Sequence, residues 1–97
     1  MLFALILTDK PGGLAIRKET RPAHLDYLRS LGGRVKAAGP FLSEDGSEPR
    51  GSLVIIEAAT LEEARAVAAA DPYAKAGLFA TTDIRGWNWV VNPPAAC

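Results

Sequence analysis

The sequence predicts an α+β domain with its elements in the order βαββαβ. Three observations carry that expectation. Two short runs, Leu2–Leu7 and Leu53–Ile56, are apolar at every position, the pattern of strands covered on both faces. Each run is followed by a segment with apolar residues at helical spacing. Two further segments, Val35–Leu42 and Leu78–Val91, read as strands carrying an internal glycine. The 97 residues suit a single hydrophobic core, because halves of this chain would be too small to stand alone. The domain is expected over residues 1–91, with Asn92–Cys97, which holds Pro93 and Pro94, as a loose tail.

Each element has its own justification. Asp9, Pro11, Gly12 and Gly13 end the first strand, and the two glycines make a plain turn, since no phosphate-loop or dinucleotide spacing surrounds them. From Leu14 to Gly32 the pattern is helical, with Leu25, Leu28 and Leu31 at i, i+3 and i+6. Pro22 removes one donor and biases Arg21 away from helix, so a kink, or a short helix followed by a longer one, is expected there. Gly39 and Pro40 place the second strand at a sheet edge or a bulge. Ser43–Gly51 has loop composition, and Leu53–Ile56 is the second central strand. Thr60 and Glu63 form a capping box for a helix that buries Ala64, Val67 and Ala68 and stops at Asp71, before Pro72. In the last strand Trp87, Trp89 and Val91 share a face as packing or interface anchors, and Gly86 marks a bulge.

Right-handed crossovers fold this order into a ferredoxin-like, four-stranded antiparallel sheet with strands one and three central and both helices on one face. Strands apolar on both sides need both faces covered. A second copy of the sheet is the simplest cover, which makes a homodimer the expected assembly.

Composition limits the function. Hydrophobic residues at 48% and charged residues at 23% exclude disordered, collagen-like and disulfide-scaffold classes. Lysine plus arginine (11) equals aspartate plus glutamate (11), and neither sign clusters, so nucleic acid and an anionic membrane are not expected partners. The topology is also that of RNA-binding domains, but those stack bases on aromatic residues of the central strands, where this chain has only Phe3. The Met1–Leu7 run is too short for a membrane span and lacks the flanks of a signal peptide. The single cysteine, Cys97, fits a reducing, cytoplasmic setting. One histidine and scattered carboxylates give no metal-ligand spacing, so no metal is expected.

The candidate site residues stand out by their phase. His24 falls within the arc of Leu25, Leu28 and Leu31 at about 100° per residue, so it points inward, as a hydrogen-bonded packing residue or as a functional group. Arg17 and Arg21 precede it at i−7 and i−3, either as a solvated face or as holders of an anionic substrate group. Asp71 prolongs the buried stripe of the second helix at its C-terminus, where the helix dipole disfavours an anion. It either turns the chain before Pro72 or belongs to a site. Ser43 is singled out because it carries the Gly39-Pro40 strand into the loop.

Four segments together resemble the YCII-related (YciI-like) family. They are the opening strand with Asp9, Arg21-Pro22-Ala23-His24-Leu25, Ala38-Gly39-Pro40, and Ala70-Asp71-Pro72-Tyr73, and the likeness covers residues 1–91. The resemblance implies a dimeric α+β barrel, in which two such sheets pack face to face. It also implies an active site around His24 and Asp71, adds Tyr73 to the substrate-binding candidates, and links the chain to cofactor-free chemistry on small oxygenated or chlorinated ring compounds, dehydrohalogenation included. The expected function is therefore acid–base catalysis of lyase or isomerase type by His24, oriented by Asp71. A non-catalytic ligand-binding or accessory homodimer is the alternative.

Overall fold

The two all-apolar runs fold as neighbouring strands, β1 (Leu2–Asp9) and β3 (Pro49–Glu57), in the middle of a four-stranded antiparallel sheet. The computed structural model describes residues 1–94, so residues 95–97 of the expected tail, Cys97 among them, lie outside the described residues. The other elements are α1 (Leu14–Ser30), β2 (Val35–Leu42), α2 (Leu61–Ala70), α3 (Pro72–Lys75) and β4 (Phe79–Trp87), with a single 3₁₀ turn at Gly32–Arg34. Sheet order is β2-β3-β1-β4, which makes β2 an edge strand as its glycine and proline require.

Strand alternation sorts the side chains onto two faces. Phe3, Leu5 and Leu7 of β1 and Val54 and Ile56 of β3 form the core with Ala64, Val67 and Ala68 of α2, and Tyr27 and Leu28 of α1, with Leu31 just past its end, pack against them. Both long helices therefore lie on one sheet face. On the other face the register sets Ala4 opposite Ile55 and Ile6 opposite Leu53, and no helix covers them. Among the described residues no helix is long and apolar enough to cross a membrane.

Several local expectations are corrected. Of the two arrangements expected at Pro22, a short helix followed by a longer one is not formed, since α1 runs unbroken through it. The carbonyl of Lys18 loses its donor there, and Lys18 and Pro22 are both exposed, so the loss falls on the solvent side of the helix, where it costs least. β3 begins at Pro49, before its apolar run, because that stretch still pairs with β1 and β2. β4 ends at Trp87, which pairs with Leu2, the first residue of β1; beyond it the ladder has no partner. Gly86 pairs in register with Phe3, and the irregularity lies instead between Thr8 and Asp9. The short helix α3 has no counterpart in the periodicity. The plain turn at Gly12 and Gly13 is present: Gly12 has φ +76°, and a Cβ at Gly13 would lie 2.8 Å from the side chain of Leu78, the residue before β4, so the turn into α1 packs closely on the start of β4.

Candidate active site

α1 turns His24 inward, where it is 7% exposed, and the junction of α2 and α3 turns Asp71 to meet it at 3% exposed. The imidazole Nδ1 lies 2.9 Å from each Asp71 carboxylate oxygen. Asp71 also caps α3, its Oδ1 accepting the Tyr73 backbone N–H at 2.9 Å. The dipole conflict seen at the end of α2 is thus offset by the free amides at the start of α3, with Pro72 in the first helical turn.

Tyr73 is the floor against which the histidine rests. It is 1% exposed; its ring stacks on His24 at 4.0 Å between centroids and 17° between planes, and Phe79 meets it edge-on at 6.1 Å. The Arg17 guanidinium sits 4.6 Å from the same ring centroid. Burial raises the Tyr73 phenol above its ordinary value, with Arg17 and Arg21 pulling partly the other way, so the group is a neutral hydroxyl at physiological pH.

Arg17 is committed within the protein. Its Nε and Nη2 donate to the two Asp9 oxygens at 2.7 and 2.8 Å, and Nη2 also donates to Ser52 Oγ at 3.0 Å. Burial opposes its charge, but the hydrogen bonds and charge of Asp9 outweigh that and hold Arg17 above its ordinary value.

Beside these groups lies a cavity of about 230 Å³. Leu25, Leu28 and Val54 give it apolar walls, and Ala38, Gly39 and Pro40 of β2 close one side. With Nδ1 held by Asp71, Nε2 is the imidazole nitrogen left for the cavity, and among the described residues no buried side-chain polar atom is without a partner. Arg21 and Lys18, both exposed, also line it. Neither pairs with a carboxylate among the described residues; Asp26, the acid on that side of α1, goes to Arg29. No cluster of metal-ligating side chains occurs among the described residues.

Five of the six residues expected from sequence therefore gather in one place: His24, Asp71, Arg17, Arg21 and Tyr73. Ser43 does not. It sits in the turn between β2 and β3, where its hydroxyl donates to Asp45 at 2.7 Å and accepts the Glu48 backbone N–H at 3.2 Å. Reasoning from sequence missed Asp9 as a partner, Ser52 and Lys18. For Ser52 the signal was strand parity, since it shares a face with Val54 and Ile56; for Lys18 it was its place one turn before Arg21.

This fold recurs in known proteins. Protein YciI of Escherichia coli and that of Shigella flexneri are each 39% identical over 97 residues, covering 93% of this chain and 99% of theirs. The solved structure of 5-chloro-2-hydroxyhydroquinone dehydrochlorinase from Burkholderia phenoliruptrix, in complex with 2,5-dihydroxybenzoquinone, is 37% identical, with a TM-score of 0.83 over 91% of this chain and 94% of that one. Residues 1–88 match the YCII-related domain, and the chain belongs to the YCII-related domain family.

Proposed function

We propose that the protein is a homodimeric enzyme that performs cofactor-free acid–base chemistry, of lyase or isomerase type, on a small oxygenated or chlorinated ring compound. The observation that carries this reading is the buried His24–Asp71 pair, with Nδ1 fixed and Nε2 left for an apolar-walled cavity. A carboxylate on Nδ1 selects the tautomer in which Nε2 has a free lone pair and can accept a proton. In an elimination from a chlorinated hydroquinone, Nε2 takes a proton from one ring hydroxyl and returns it to the chlorine-bearing carbon, which gives the keto tautomer with a new C–H bond there. Nε2 then takes the proton of a second, conjugated hydroxyl; that oxygen's electron pair forms the quinone carbonyl, the ring double bond shifts toward the chlorine-bearing carbon, and chloride departs with the carbon–chlorine pair. Proton and chloride together make HCl, and no electrons are added. Asp71 stabilises the imidazolium that forms, and the Tyr73 face beneath it favours the same cation.

Arg21 and Lys18 are the exposed cations at the cavity and the groups placed to hold an anionic substituent. Support for the substrate class comes from the dehydrochlorinase neighbour and its ring ligand. The test is incubation with 5-chloro-2-hydroxyhydroquinone and measurement of released chloride. Release that His24→Ala abolishes supports the reading. Binding of 2,5-dihydroxybenzoquinone with no chloride release and no change in any related ring compound would identify an accessory, ligand-binding dimer instead.

A further inference from the structure

Arg17 is the cation that stands over the histidine's stacking partner, yet its charge is spent on Asp9. The pair is bidentate, with both side chains 5% exposed, and Ser52 takes a further Nη2 hydrogen bond. Asp9 closes β1, Ser52 lies on β3 opposite Leu7, and Arg17 projects from α1 two turns before His24. A guanidinium fixed to two strands in this way cannot swing toward a ligand without leaving a buried carboxylate unpaired. What it does contact is the Tyr73 ring, 4.6 Å away, and that ring carries the His24 imidazole at 4.0 Å.

We propose that Asp9, Ser52 and Arg17 form a brace that holds the Tyr73 ring against His24, making Arg17 a positioning residue and not a ligand of the substrate. Asp71 fixes one edge of the imidazole; the braced phenol fixes its face. Two independent contacts are what holding Nε2 in one direction requires, since a single hydrogen bond leaves the ring free to rotate about that contact. The consequence for catalysis rests on the proposed role of His24, but the brace itself does not.

The test uses the fact that the chain has one histidine, so its ring C–H proton signals are unambiguous in an NMR spectrum. Stacking on Tyr73 shifts them upfield. Arg17→Met alone strands the Asp9 charge and can unfold the chain, so the principal variant is the double exchange Asp9→Asn with Arg17→Met, and Arg17→Lys is its conservative counterpart. The brace predicts that in the folded double variant the His24 signals move downfield and lose their cross-relaxation with the Tyr73 ring, while Arg17→Lys moves them less. Unmoved His24 signals in a folded double variant overturn the brace. A more than tenfold loss of quinone affinity with the stack intact overturns it too, by making Arg17 a ligand. If the wild type neither binds the quinone nor releases chloride, the proposed activity fails and the histidine signals still decide the brace.

Discussion

Asp71 meets two demands with one carboxylate: it holds His24 Nδ1 and it caps α3. Asp71→Asn keeps an amide oxygen for the Tyr73 N–H, so the fold should persist, but the amide no longer stabilises an imidazolium. Turnover should fall by about 10²–10⁴-fold, the range of a lost acid–base contribution, with the far-ultraviolet circular dichroism unchanged. Asp71→Ala removes the cap as well and should cost about 1–3 kcal/mol in urea unfolding. Tyr73 and Tyr27 give a pH signature of their own. Burial raises both phenols above their ordinary value, so at high pH the folded chain keeps protons that the unfolded chain releases. Stability should therefore decline as pH rises through about 10, and Tyr73→Phe should make the decline shallower in denaturation curves collected across that range. Helical phase alone marked His24 and Asp71 as inward-facing, because apolar neighbours on the same helix define which way inward is. Asp9 and Ser52 were illegible by that route. Each follows or precedes an apolar strand, where a polar residue reads as a boundary, and their partnership through Arg17 joins residues 43 positions apart in the chain only after β1 and β3 have paired.

α1 shows how an element absorbs a residue that local rules would expel. Pro22 costs the helix one hydrogen bond, at a position where Lys18 and Pro22 are both exposed and an unpaired carbonyl costs least. Pro22→Ala restores the bond and a better helix former, offset by the extra freedom of the unfolded chain, and should raise stability by about 1–2 kcal/mol, seen as a higher urea midpoint. A lower midpoint would mean that the proline ring packs where the helix needs it. The β2–β3 turn makes a second case. Asp45 accepts the Ser47 backbone N–H and the hydroxyls of Ser43 and Ser47, which lower its carboxyl from 3.8 to about 2. Its contribution to the hairpin is in place above 3.8 and is lost as pH falls through about 2, and a carbon-13 titration of the Asp45 carboxyl should show that midpoint. Elements with a continuous apolar run or a helical stripe were legible in the sequence. The ends were not, because they depend on partners: β4 stops where β1 runs out, and α3 exists because Asp71 caps it.

At the scale of the whole molecule the sheet is asymmetric. One face packs on both long helices, while the other carries Ala4, Ile6, Leu53 and Ile55 outside that helix-packed core; Ala4 and Ile55 are buried in the single chain, and Ile6 and Leu53 keep exposed surface. Leu53 at 36% and Phe41 at 42% exposed lie on that side, on adjoining strands. The charged side chains Asp83 and Arg85 of the edge strand β4 pair with each other at 2.9 Å, leaving the central strands apolar. The unbroken apolar runs Leu2–Leu7 and Leu53–Ile56 are legible in the sequence by themselves, and a lone domain of this order has no use for the second face. A second copy laying its own sheet there would bury on the order of 2,000 Å² or more, the scale of an obligate dimer. Leu53→Lys tests it. In a single chain the lysine would stand in water at a half-open position and cost little. In a face-to-face dimer two such ammonium groups would enter a dry interface without counter-charges, each losing several kcal/mol of hydration, on the order of the ~3–5 kcal/mol seen for an unpaired buried charge. Light scattering should therefore give two chains for the wild type and one for Leu53→Lys, while Ala66→Lys, on the exposed side of α2, should remain a dimer. A wild type that scatters as one chain at micromolar concentration, or a Leu53→Lys variant that stays paired, would put the dimer contact elsewhere or nowhere.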